Sequence, residues 1–311
     1  MSENLFKYFG PEAIEKVFAD PDHVTLKCSL PKDFNDPYEL FLTVDLNQEA
    51  DVMAFYAECI GDLPQLPTTC FSRSPLVVPM WAHYAKNSTG FAVEFDEEML
   101  SNHFSESNFD NVDYRDTANE ALTEMLYRAS GIGKPRHVYL LQRWVIRAAY
   151  YTKTKCWDYE QERRMVTGKN EVRAVGDLLL LDVPKDCIKT IIIGPQAKAE
   201  TVEKLKEKAK KLECDYFQLT IGKSSALPFL IDLDGKPHIF KDNQILPSVN
   251  HCNSCQEPII SLRKLCAWCQ IDESHANLAA QRNPFRLYQS MGMLESYIEG
   301  MDNISRRHQG K

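Results

Sequence analysis

Two carboxylates one residue apart, Glu160 and Glu162, stand behind Trp157 and Tyr159 and ahead of Arg163 and Arg164. In an extended segment alternate side chains share a face, so Glu160, Glu162 and Arg164 are expected to point the same way. Crowded carboxylates repel, and one then holds its proton more tightly than a free carboxyl. Acid–base or charge-stabilising chemistry is the use for such a pair. The competing reading is an edge strand whose outer face carries solvated Glu and Arg. From Leu141 to Val175 there are eight Lys or Arg against four Asp or Glu. That excess would attract a phosphate-bearing ligand, or simply coat a solvated helix.

The second constellation is Cys252-x-x-Cys255 and Cys266-x-x-Cys269, separated by ten residues. Two such hooks supply four thiolates for a tetrahedral Zn²⁺, and with all four positions taken by protein the site is structural. His251 and His275 are reserve ligands. Four unrelated thiols, or a redox pair, are the competing reading. The other six cysteines are scattered and read as core thiols.

Aromatic residues form the third set. After Pro79, a short helix puts Trp81, Tyr84 and Ala85 on one face with His83 beside them. Phe34-Asn35-Asp36-Pro37 is a turn, because Asn and Asp bond their own backbone and Pro37 keeps Asp36 extended. Ordinary core packing and a satisfied histidine compete with any functional reading here.

The elements that must position these groups follow from periodicity. Strands are expected over 5–8, 23–29, 68–72, 91–95, 177–183, 188–194 and 216–221, and helices over 12–18, 48–60, 119–130, 137–151 and 197–213. The strand–helix–strand order at 188–221 implies a right-handed crossover, without the glycine fingerprint of a dinucleotide-binding unit. Asp234-Gly235 turns a hairpin within 229–240. Helices are expected over 274–304, broken at Asn283-Pro284. The fold class is therefore α+β: a mixed β-sheet flanked by helices, whose order fits a split sheet without requiring one, plus a small four-cysteine zinc module. The boundary falls between a domain of residues 1–246 and a module of residues 247–311.

Composition excludes several classes. The 311 residues carry a net charge of −8, against broad nucleic-acid binding. No apolar run reaches the roughly 20 residues of a membrane helix, and the first residues lack a signal pattern. A cytoplasmic location with no membrane partner is expected, where cysteines stay as thiols or metal ligands.

With these residues in view, residues 5 to about 222 resemble the bacterial family of domain of unknown function 2971. The marks are Leu5-x-Lys7-Tyr8, Phe34-Asn35-Asp36-Pro37-Tyr38-Glu39, Cys70-Phe71-Ser72, Met80-Trp81-x-His83-Tyr84-Ala85, Lys155-x-Trp157-x-Tyr159-Glu160-x-Glu162-Arg163 and Ile191-Ile192-Ile193-Gly194. Glu160-x-Glu162 also resembles the late-strand motif of ADP-ribosyltransferases, although their His-Gly-Thr and Ser-Thr-Ser motifs are absent. That resemblance implies an NAD-using enzyme, of the kind found among toxins and defence effectors. Glu162, Glu160, Tyr84 and His83 would be catalytic, and Tyr8, Asn35, Trp81 and Arg163 would hold the nucleotide. The acceptor, protein or nucleic acid, is open. Glu162→Gln would then abolish transfer with the fold intact. Two other classes compete: a Mg²⁺-dependent nuclease or phosphoesterase using Asp36, Glu39, Glu160 and Glu162, and a non-enzymatic module that binds a ligand and a partner.

Overall fold

The structure is a computed structural model, and it describes residues 3–34, 36, 43–61, 64–259 and 263–309. The chain divides into two compact units, Met1–Ser248 and Val249–Lys311.

The first unit is built on a ten-stranded sheet. From one edge its strands run Gln244–Pro247, Pro237–Lys241, Phe229–Ile231, Asp215–Thr220, Ile188–Ile193, Phe91–Asp96, Asn4–Phe9, Thr68–Ser72, Glu162–Val166 and Asn108–Asn111. Neighbours are antiparallel except Ile188–Ile193 and Asp215–Thr220, which are parallel and joined by the helix Ala199–Leu212. That crossover is the one expected from the β-branched run and the amphipathic helix behind it. The helix buries Leu205, Ala209 and Leu212 against one sheet face.

Alternation sorts the sheet residues into two layers. Leu5, Phe71, Phe91, Val93, Phe95, Met165, Ile191 and Ile193 pack with Val24, Leu26, Leu181 and Val183 of a smaller sheet. Phe6, Tyr8, Ala92 and Ile192 face the other way, onto Met80, Trp81 and Ala85 of the short helix Val78–His83 and its flank. A third cluster joins the helices Ala50–Ile60, Glu120–Ile132 and Pro135–Tyr151 through Leu122, Leu126, Leu141 and Val145. The glycine pair at 131–133 is a helix end: the helix runs through Gly131 to Ile132, and Gly133 takes the left-handed cap at φ 65°.

The sheet is nearly interrupted at one point. Asn4–Phe9 pairs with Phe91–Asp96 over six registers, and Thr68–Ser72 pairs with Glu162–Val166 over five. Between these two halves a single register pair joins Phe6 to Ser72. Continued antiparallel pairing would set Lys7 opposite Phe71 and Tyr8 opposite Cys70, but the ladder does not extend to them.

The second unit has two cysteine hooks followed by the helices Glu273–Arg282, Pro284–Ser290 and Leu294–Gln309, with the break at Asn283-Pro284 as expected. His275 serves as the N3 residue of a capping box with Asp272 rather than as a reserve ligand. No described helix is long and apolar enough to cross a membrane.

Candidate functional site

The stretch that carries Glu160 and Glu162 is not one extended segment. Lys155–Glu160 is a 3₁₀ turn, Gln161 takes the left-handed conformation at φ 48°, and the strand begins at Glu162. Side-chain alternation therefore cannot bring the two carboxylates together; the turn and a shared lysine do. The strand also lies between Thr68–Ser72 and Asn108–Asn111, so the solvated-edge reading fails.

The turn is held from three sides. Asp36 accepts from the Thr154 hydroxyl at 3.0 Å, Asp116 accepts from the Lys155 amide at 3.1 Å, and the Glu162 amide donates to the Tyr114 hydroxyl at 2.8 Å. Lys153 sits in a two-residue strand paired with Asp113–Tyr114. It donates to Glu160 at 2.7 Å and to Glu162 at 3.4 Å, with its ammonium 4.6 Å from the Trp157 ring centroid. Arg164 donates to both oxygens of Glu162, at 2.8 and 3.1 Å, and to the Tyr150 carbonyl at 2.6 Å. The Phe34 ring centroid lies 4.8 Å from its guanidinium. Tyr84 completes the chain by donating to Glu160 at 2.5 Å.

Lys153, Glu160, Glu162 and Arg164 are each no more than 5% exposed. Two anions and two cations in one buried network balance when all are ionised, and each compensates the desolvation of another. Of the eight basic residues in 141–175, Lys153 and Arg164 are internal and serve this network, Arg163 is half-buried and bonded to Glu97 at 2.6 and 3.0 Å, and the other five are exposed.

The two carboxylates titrate in opposite directions. Burial raises Glu160, and the Glu162 charge adds to the rise against the pull of Lys153. Burial opposes ionisation of Glu162 too, but Arg164 and Lys153 overcome it and hold that carboxyl well below the usual range. The sign for stability follows from linkage. Glu162 contributes stability above the ordinary Glu value of about 4.3, and this is lost as pH falls toward its depressed value. Glu160 keeps its proton in the folded state where the unfolded chain has released it, so its contribution declines as pH rises above about 4.3. Stability measured by urea titration should therefore fall with rising pH in the wild type relative to Glu160→Gln. A difference that stays flat across that window would contradict the raised carboxyl.

A cleft of about 200 Å³ opens beside this network, at the split in the sheet. Tyr8, Tyr84, Glu160 and Glu162 all line it, together with Lys7, Phe34, Lys153 and Arg164. The Tyr8 hydroxyl donates to the Ser74 carbonyl at 2.7 Å. Other expected residues lie elsewhere. Trp81 is buried, edge-to-face on Tyr8 at 5.1 Å, and donates to the Pro75 carbonyl at 2.7 Å; it is part of the core and does not line the cleft. His83 is exposed and meets the Tyr159 hydroxyl at 3.1 Å. Arg163 alternates to the opposite sheet face from Glu162. Asn35 and Glu39 fall outside the described residues.

Residues 80–165 match the family model described as "Protein of unknown function (DUF2971)". The match covers Tyr84, Lys153, Glu160, Glu162 and Arg164, hence most of the buried network, and leaves out Tyr8 and Phe34. Neither a curated protein nor a solved structure matches the chain.

In the second unit the sulfurs of Cys252, Cys255, Cys266 and Cys269 lie within 4.8 Å of one another, a set that could hold a metal ion. Among the described residues the other such group is His103, Asp186 and Cys187. Asp36, Glu160 and Glu162 do not form one.

Lys153, Lys7 and Thr69 are among the cleft residues to which sequence reasoning gave no role. Glu162 and Arg164 are two apart on a strand and legible as one face. Lys153 lies across a 3₁₀ turn from its partners and left no periodic signal.

Proposed function

We propose that the cleft binds a nicotinamide dinucleotide and that the chain is an ADP-ribosyltransferase-like enzyme. The observation that supports this reading is the convergence of Tyr8, Tyr84, Glu160 and Glu162 on one cleft at the split of the sheet. In the reaction the N-glycosidic bond of NAD breaks, and its electron pair leaves on nicotinamide. Positive charge develops at the ribose carbon, which Glu162, ionised and held in place by Arg164, can stabilise. An acceptor heteroatom, or water, bonds to that carbon and gives up its proton. Glu160 is the base for it: burial strengthens its affinity for the proton, and Tyr84 fixes its direction. Tyr8 and Tyr84 would supply the aromatic part of the wall against which the nicotinamide packs.

Calorimetry with NAD should show binding, and NAD should raise the melting temperature. Glu160→Gln should cut nicotinamide release by about 10²-fold or more, and Tyr84→Phe by a smaller factor. Glu162→Gln is less informative than the sequence suggested. It removes the carboxylate that Arg164 and Lys153 share, so it should lower stability along with activity. Absence of NAD binding at millimolar ligand would sink the proposal.

We further propose that the four cysteines hold Zn²⁺. A tetrahedron with Zn–S bonds near 2.3 Å has edges of about 3.8 Å, and the sulfurs of Cys255 and Cys266 are 3.8 Å apart. The Cys269 amide is directed at the Cys266 sulfur at 3.4 Å, a contact suited to a thiolate. With four protein ligands the ion would hold the unit together and take no part in turnover.

A further inference from the structure

The residue at the split that the network does not use is Lys7. Its strand is held to Thr68–Ser72 by one register pair, Phe6 to Ser72. Just past that pair the Lys7 ammonium reaches across and donates to the Cys70 carbonyl at 2.9 Å, so a side chain takes an acceptor that a continued ladder would have used. The ammonium also lies 5.5 Å from the centroid of the Phe71 ring. Among the described residues no carboxylate comes within 4 Å of it; the ion pairs of the cleft belong to Lys153 and Arg164.

A partly desolvated ammonium with one carbonyl and an aromatic ring for company lacks a counter-charge. Burial accordingly depresses its pKa, with Cys70, Cys28 and Glu162 too weak an influence to restore it. Among the described lining residues the carboxylate left over for it is Asp33. Lys153 and Arg164 neutralise Glu160 and Glu162, which leaves Lys7 and Lys27 against Asp33 along the lining. A second observation points the same way. Thr69, also in the lining, is 1% exposed and its hydroxyl has no hydrogen-bond partner among the described residues. A buried hydroxyl left without a partner is costly and uncommon.

We infer that the gap between Asn4–Phe9 and Thr68–Ser72 is an anion subsite, in which Lys7 and Thr69 take a phosphate or pyrophosphate group. The assignment of that group to a dinucleotide rests on the reading of the cleft given above; the subsite itself does not. It replaces Arg163 as the phosphate-binding residue, since Arg163 is committed to Glu97 and does not line the cleft. A charge-assisted bond from Lys7 would be strong here because the ammonium is already partly stripped of water.

The test uses the full chain and three probes: inorganic pyrophosphate, NAD and the phosphate-free nicotinamide riboside. Pyrophosphate should bind the wild type, and Lys7→Met should weaken it by about tenfold or more. Thr69→Val should weaken it by a smaller factor without loss of melting temperature. The salt dependence of pyrophosphate affinity should flatten in Lys7→Met, a change that a merely structural lysine would not produce. Nicotinamide riboside affinity should be the same in both proteins. Pyrophosphate binding that is absent, or unchanged in folded Lys7→Met, overturns the subsite. If pyrophosphate binding depends on Lys7 while NAD does not bind, the subsite stands and the dinucleotide reading falls. If NAD binds wild type and Lys7→Met equally, the dinucleotide reading stands and the subsite falls.

Discussion

Chelation of zinc, or the substitution Cys266→Ser, is expected to unfold residues 249–311. Among the described residues of this unit the buried ones are Cys252, Glu257 and Cys266. Two of the three are proposed ligands, and no other described apolar side chain of the unit is buried. Leu278, Phe285, Leu287, Tyr297, Ile298 and Met301 are all at least 40% exposed. With no buried apolar core among the described residues, little else there offsets the conformational entropy of ordering this stretch. Metal binding to a four-cysteine site contributes on the order of 10 kcal/mol to folding, so the expected effect is the largest of any change to the protein. Titration of the reduced, metal-free chain should show one equivalent of zinc bound with a gain of helix by circular dichroism. Cys266→Ser should bind far more weakly. A unit that keeps its helix and its protease resistance after chelation would refute the role assigned to the cluster.

The second large effect is expected at Arg164. Arg164→Met removes both bonds to Glu162 and the bond to the Tyr150 carbonyl, and leaves a carboxylate that is 4% exposed with Lys153 as its remaining cation. Breaking a buried pair by deleting one partner typically costs about 3–5 kcal/mol, because the other charge stays desolvated. Replacing both partners with apolar residues is much less harmful. Urea denaturation should therefore give a large loss for Arg164→Met and a clear recovery for Arg164→Met combined with Glu162→Leu, a coupling energy that a double-mutant cycle reports directly. A single-variant loss under about 1 kcal/mol would mean that the network is solvated and contributes little. This result bears on function as well. The proposed chemistry needs Glu162 ionised and fixed, and Arg164 does both.

These expectations differ in how far they could have been drawn from the residues alone. The two Cys-x-x-Cys hooks specify their own geometry, because each hook closes within four residues and the ten-residue spacer limits how the two can meet. The amphipathic run at 197–213 and the β-branched run at 188–194 likewise gave their elements away, since burial of one helix face and of both strand faces leaves a periodic mark. The α+β class followed from the order of such elements, which fitted a split sheet without requiring one.

What the sequence by itself determined, then, was local: which residues could be ligands, which segments were helix or strand, and that Glu160 and Glu162 belong to one short stretch. It did not determine how those carboxylates meet. Reading the stretch as extended put them on one face by alternation, whereas a 3₁₀ turn and the left-handed Gln161 separate them and Lys153 joins them again. Only the tertiary structure decided which basic residues of the 141–175 segment face inward, that Trp81 is core while Tyr8 and Tyr84 line the cleft, and that Lys7 spans the gap in the sheet. The reason is physical. Periodicity records burial along one segment, but the partner of a buried charge comes from another segment at a distance set by the fold, and nothing in the local pattern encodes that distance.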